Sequence, residues 1–223
     1  MRTKTLILAA ALTAAGLASS LAQSNVYSLN VVGYVNKVLT GNLKYTAVAN
    51  PLNTTNNTLA SLFGGAGVGL PTGSQLLKWT PGDADFTTYG KVGFASGWTG
   101  GGATATLNPG EGCLILTPNA SADYTNTFVG EVLQGNLTNV TLAGFQLIGN
   151  KTADAGTAPA LNLYPATGSQ LLKWDVGLQD WITYGKVVFG SGWTPAPPQI
   201  DVAEGVMLNN TVATNWVRNF TVQ

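Results

Sequence analysis

The seven-residue phrase Gly73-Ser74-Gln75-Leu76-Leu77-Lys78-Trp79 returns unchanged as Gly168-Ser169-Gln170-Leu171-Leu172-Lys173-Trp174. Two more shared phrases follow at the same offset. Tyr89-Gly90-Lys91-Val92 returns as Tyr184-Gly185-Lys186-Val187, and Ser96-Gly97-Trp98-Thr99 as Ser191-Gly192-Trp193-Thr194. From Gly73 to Thr99 the two rows agree at 19 of 27 positions without an insertion. Self-similarity at a fixed period marks a duplicated structural unit, so the chain must fold as two copies of one plan. Within the phrase, alternation puts Gln75, Leu77 and Trp79 on one side of a strand and Leu76 and Lys78 on the other. Leu77 and Leu172 should therefore be equally buried.

The remaining segments read as strands and turns. Tyr27 to Val35 alternates and is β-branched, and Lys44 to Ala49 is a second strand closed by Asn50-Pro51. Leu59, Leu62 and Phe63 share a helical face, so Thr58 to Phe63 is at most a short helix. Thr80 to Asp83 is a turn between strands, which makes Ser74 to Val92 a hairpin. Gly97 to Gly102, with four glycines, reads as an exposed loop. Leu107 to Gly112 turns into the apolar strand Cys113 to Leu116, and Tyr124 to Val129 ends the first copy.

The second copy repeats this order. Val129 to Val132 echoes Val32 to Val35, Leu133 to Leu137 echoes Leu39 to Leu43, and Phe145 to Asn150 stands for Tyr45 to Asn50. Ala203-Glu204-Gly205 repeats the Gly110-Glu111-Gly112 turn before Val206 to Leu208, and Trp216 to Val222 closes the chain. The expected fold is all-β: two tandem, internally duplicated sandwich- or barrel-like modules packed together. Module 1 is assigned to residues 23–127 and module 2 to 128–223, with no linker at the seam near Phe128.

Residues 1–22 read as a secretory signal peptide. Arg2 and Lys4 precede the apolar run Leu6 to Ala18, and Ser20-Leu21-Ala22 offers the small residues that cleavage requires. Loss of the leader leaves eight basic and ten acidic side chains, a net charge near −2. Only 9% of residues are charged, which provides no basic stripe for nucleic acid. The expectation is an exported protein, extracellular, on the cell surface or in the periplasm, whose mature chain does not insert into a membrane. A lone Cys113 in an apolar run cannot form an internal disulfide and reads as a buried small hydrophobe.

Several short motifs together carry a family resemblance. They are Ala49-Asn50-Pro51, Lys78-Trp79, Leu107 to Gly112, Phe128 to Val132 and Trp216 to Phe220. On these the chain resembles an uncharacterised family of secreted bacterial proteins built from tandem small β modules. The second copy departs from the pattern, with Asn150-Lys151 for Asn-Pro and Val202-Ala203-Glu204-Gly205 for Pro-Gly-x-Gly. The resemblance implies no catalytic activity.

The chain has no histidine, which removes the usual general base near neutral pH, the usual triads and most zinc sites. Glu111 and Glu204 are the obvious carboxylate pair because both copies carry them, but each lies in a glycine-flanked turn of its own module. Asp83-Ala84-Asp85 has the alternate oxygens that calcium favours, but the second copy keeps only Asp180. No catalytic residue, metal site or cofactor is therefore assigned. Recognition potential rests on the repeated aromatics Trp79, Tyr89 and Trp98 with Trp174, Tyr184 and Trp193. Flat rings stack on sugars, but they also fill cores. The leading expectation is a non-catalytic structural or adhesive surface protein that assembles with itself or with other cell-surface proteins. The alternative is a carbohydrate-binding module that holds polysaccharide on those rings, with Trp98 and Trp193 the more exposed of the set.

Overall fold

A computed structural model describes residues 31–190 and 192–222. The leader, and the Tyr27 to Asn30 part of the first expected strand, lie outside the described residues. The first repeat holds β1 (Val32–Leu39), β2 (Tyr45–Ala49), α1 (Leu59–Phe63), β3 (Gln75–Thr80), β4 (Asp85–Gly90), β5 (Gly112–Leu116) and β6 (Tyr124–Glu131). The second begins with β7 (Gly135–Thr141), β8 (Gly144–Ile148), β9 (Gly156–Thr157) and β10 (Gln170–Asp175). It continues with β11 (Asp180–Lys186), β12 (Trp193–Thr194), β13 (Gln199–Ile200), β14 (Val206–Asn210) and β15 (Thr214–Phe220). Among the described residues strand makes up 46% and helix 3%, so the protein is all-β, and no sheet closes into a barrel. The helix is a single short turn capped by Thr58, whose hydroxyl accepts from the Ser61 amide at 3.2 Å.

Each repeat builds one antiparallel sheet and one two-stranded ribbon, and the second adds a short pair of β9 with β13. The first sheet runs β2-β5-β3-β4 and the second β8-β14-β10-β11-β12, the same order with one short strand added. The ribbons are β1 with β6 and β7 with β15. This places equivalent strands at offsets that vary along the chain. Val48 corresponds to Ile148, Leu77 to Leu172 and Leu114 to Met207, as the matching registers show.

Three apolar layers separate and flank the two sheets. The first repeat's own core joins Val48, Leu76, Cys113 and Ile115 of its sheet to Leu39 and Phe128 of its ribbon and to the apolar face of α1. The second repeat's core joins Ile148, Leu171, Val206 and Leu208 to Trp216. The third layer lies between the sheets, where Ala47, Leu77, Leu114 and Trp79 meet Leu147, Leu172, Met207 and Trp174. Both faces of each sheet are thus covered, which explains why β5 and the first three residues of β14 are apolar without alternation. Leu76 and Leu171 are fully buried and Leu77 and Leu172 half-buried, so the repeated phrase has the same environment twice. Residues 31–222 accordingly belong to one compact unit.

Two expected correspondences fail. Val32 to Tyr34 pairs with Glu131 to Val129 across one antiparallel ribbon, so the two Val-Gly phrases are partners and do not begin successive modules. Leu39 ends β1 whereas Gly135 opens β7, so the two Gly-Asn-Leu phrases occupy opposite ends of equivalent strands. Phe128 lies inside β6, which stays paired with β1 as far as Glu131, and the next strand starts at Gly135. The seam expected at Phe128 therefore falls within a strand of the first ribbon.

The glycine-rich stretch after β4 also differs from its reading as an exposed loop. Gly97 and Trp98 are buried. A Cβ at Gly97 would stand 2.3 Å from the Ala66 amide nitrogen, so glycine is required there for close packing against the 65–66 backbone.

Candidate functional site

The six repeated aromatic residues fall into three environments. Trp98 and Trp193 are only 6% and 3% exposed, each in the core of its own repeat. Stacking on a sugar needs an open ring face, so neither can serve the role their glycine neighbours suggested. Their lids are the repeated lysines. Lys91 Nζ lies 5.1 Å from the Trp98 ring centroid and Lys186 Nζ 5.6 Å from that of Trp193. Lys91, almost wholly buried, donates to the Gly64 carbonyl at 2.6 Å and to the Gly65 carbonyl, while Lys186 donates to the Gly192 carbonyl at 3.1 Å. Burial pulls the Lys91 ammonium below its usual pKa. Tyr89 and Tyr184 are half-buried against the same two cores.

Trp79 and Trp174 do something else: each reaches into the opposite repeat. Trp79 Nε1 donates to the Phe145 carbonyl at 2.6 Å, and Trp174 Nε1 to the Tyr45 carbonyl at 2.8 Å. Tyr45 and Phe145 are equivalent residues, so the two bonds are exchanged by an approximate two-fold axis. The backbone repeats the exchange. The Ala49 amide donates to Ala203 at 3.1 Å and the Gly149 amide to Gly110 at 3.0 Å, with isolated β-bridges joining Val48 to Glu204 and Ile148 to Glu111. Gly112 and Gly205 allow this crossing, because a Cβ there would stand 3.2 Å from the Ile148 amide nitrogen or 2.7 Å from the Val48 carbonyl oxygen. The Gly-Glu-Gly and Ala-Glu-Gly turns are therefore the seam between the repeats.

Each turn holds its glutamate in the same cap. Glu111 accepts from the Asn108 amide at 2.7 Å and pairs with Lys78 at 2.9 Å. Glu204 accepts from the Asp201 amide at 2.8 Å and pairs with Lys173 at 3.2 Å. The lysine of the repeated Lys-Trp phrase is thus a partner for the repeated glutamate, a pairing that the matching copies carried but that sequence distance hid.

The two corners differ in what fills them. Beside Glu204 stands Lys37 of the first ribbon. Burial lowers its ammonium pKa, attraction to Glu204 and Asp201 opposes that, and repulsion from Lys173 adds to it. Gln179 also enters this side, accepting from the Tyr45 amide at 2.7 Å and donating to its carbonyl at 3.2 Å. Beside Glu111 the position of Lys37 is held by Asn139, that of Asp201 by Asn108 and that of Gln179 by Ala84. Asn139, shorter than Lys37, lines a cleft of about 290 Å³ together with Lys78, Trp79, Glu111, Gln146 and Leu147, among others.

Among the described residues no group of three metal-ligating side chains comes together, and Asp85 and Asp180 each accept the amide of the next residue at 2.7 Å. Burial pushes the Cys113 thiol well above its usual pKa. Comparison of the chain with protein-family models, with curated proteins and with solved structures returns no match.

Proposed function

We propose that the chain is an exported, non-catalytic structural or adhesive protein of the cell surface, extracellular space or periplasm, one that assembles with copies of itself or with other surface proteins. The observation that carries this reading is the outer face of the first ribbon. Val32, Tyr34 and Val38 of β1 and Val129 of β6 are all exposed, Tyr34 at 73%. Val32, Tyr34 and Val129 adjoin one another on the ribbon, the Asn36–Thr127 pair separates them from Val38, and neither strand has a second sheet partner over most of its length. Opposed to glycan stacking on Trp98 and Trp193 is their burial, which removes the two rings of the six that were expected to be the more exposed.

Multi-angle light scattering of the mature chain across a concentration series tests the proposal, run beside Tyr34→Ser, which makes the face more polar. Concentration-dependent assembly that Tyr34→Ser weakens is the expected result. A wild-type chain that stays monomeric throughout, and that fails to bind the surface of its host cells, would overturn the reading.

A further inference from the structure

Gln179, Lys37 and Asp201 close one corner of the interface, and the framework that holds them recurs at the other corner without them. We propose that the open corner, the cleft of about 290 Å³ beside Lys78 and Glu111, is a binding site for a neutral, hydroxyl-rich ligand the size of one sugar residue. This goes beyond the structural reading above and does not depend on it.

Charge excludes an ionic ligand. The closed corner adds a cation, Lys37, together with an anion, Asp201, and the open corner has Asn139 and Asn108 in their places. What remains is Glu111 already paired with Lys78 at 2.9 Å. Hydrogen bonding then specifies groups that both donate and accept. Lys78 Nζ gives two of its three bonds, to the Thr106 carbonyl and Glu111 Oε2, Asn139 Nδ2 gives both of its bonds, to the carbonyls of Gly110 and Gly149, and Gln146 Nε2 gives one of its two, to that of Leu142, so Lys78 and Gln146 each keep one N–H. The oxygens left over are Glu111 Oε1, Asn139 Oδ1 and Gln146 Oε1, which accept nothing from the described residues. Three acceptors and two remaining donors on residues that line one cleft suit a ligand whose groups both donate and accept, as sugar hydroxyls do. The half-buried Trp79 lines the same cleft and offers indole surface to the apolar face of a pyranose. The volume lies at the small end of ligand pockets, which suits a single residue or the end of a chain.

The test titrates the mature chain with the methyl glycosides of glucose, galactose, mannose and N-acetylglucosamine, with methylammonium and acetate as charged probes. Binding is followed by calorimetry and tryptophan fluorescence. The expected result is saturable binding of at least one glycoside and of neither ion. The double variant Asn108→Asp/Asn139→Lys copies the closed corner into the open one using residues the framework already accommodates. It should unfold at the parent's temperature and bind the glycoside about tenfold more weakly or worse. Should it fail to fold, Gln146→Met removes one acceptor at similar volume and must weaken binding likewise. Absence of glycoside binding, binding of either ion in its place, or glycoside binding that the folded variant leaves unchanged would each overturn the proposal. A negative result here leaves the light-scattering test untouched.

Discussion

Two corners of one interface stand on the same framework, a lysine-glutamate pair over a crossing of backbones, and only one of them is filled. The backbone framework is fixed because each element serves the opposite repeat. Glu111 bridges Ile148 while Glu204 bridges Val48, and both turns end in a glycine that the facing strand requires. Side chains that enter from the ribbon and from the β-turn after β10 carry no such obligation, and there the copies differ. They differ in balanced pairs. A buried lysine without a nearby carboxylate is costly, so Lys37 occurs with Asp201 and Asn139 with Asn108. The contrast teaches that symmetry in this protein belongs to the backbone seam and that the corners are where the two halves acquired separate properties.

The largest effects should come from the features that the halves share. Trp98→Ala and Trp193→Ala each empty a core, and each should destabilise the chain by about 3–5 kcal/mol in urea unfolding. Similar losses would confirm that the two cores are equivalent, and a loss at one position alone would break the comparison at its base. Next comes the axis itself. A Cβ on Gly149 would lie 2.0 Å from the Cβ of Ala49, its own counterpart in the first repeat. Two alanines cannot meet there, so Gly149→Ala should cost about 1–3 kcal/mol or more. Ala49→Gly added to it should recover most of that loss, since the exchange only reverses which repeat supplies the methyl. If the double variant unfolds as readily as Gly149→Ala, the two positions are not mates across the axis.

Much of this architecture was legible in the sequence. Duplication was read from the repeated phrases, and alternation in Leu76, Leu77 and Trp79 assigned the two faces of β3 correctly. The helical face of Leu59, Leu62 and Phe63 was likewise sound. Three things were hidden, each for a physical reason. Glycine abundance around Trp98 was read as exposure because the pattern shows only the missing side chain and not the backbone that needs its room. The Val-Gly echo misled because antiparallel partners can share a composition without occupying equivalent places. Of the candidate site, Trp79 and Glu111 stood out as single residues, and their meeting in one cleft did not. Lys78, Glu111, Asn139 and Gln146 come from β3, a turn, β7 and β8, and only the reciprocal crossing of the repeats brings them to one cleft. The repeated aromatics drew attention first, yet Trp79 alone among the six lines that cleft.

The smallest expected effect separates the corners most sharply. Glu111→Gln removes one member of a pair whose side chains are 24% and 39% exposed, so it should cost only about 0.2–1 kcal/mol. Glu204→Gln acts on a pair exposed at 20% and 12%, and it also takes from Lys37 the first-ranked attraction opposing its burial. Its cost near neutral pH should be about 1–3 kcal/mol. The pH dependence then distinguishes loss of a charge partner from loss of packing. With Glu204 gone, desolvation and Lys173 hold the folded-state pKa of Lys37 further below the ordinary lysine value. Between that pKa and the parent's own, which burial already lowers, the variant's folded chain gives up a proton that the parent's folded chain keeps. Stability relative to the parent should therefore rise as pH increases across that window, and the penalty of Glu204→Gln should shrink. No lysine occupies the equivalent place beside Glu111, so the penalty of Glu111→Gln should stay flat over the same range. Urea midpoints for the parent and both variants at neutral pH and in the approach to the lysine range give the comparison. Equal penalties with equal slopes would mean that Lys37 does not distinguish the two corners.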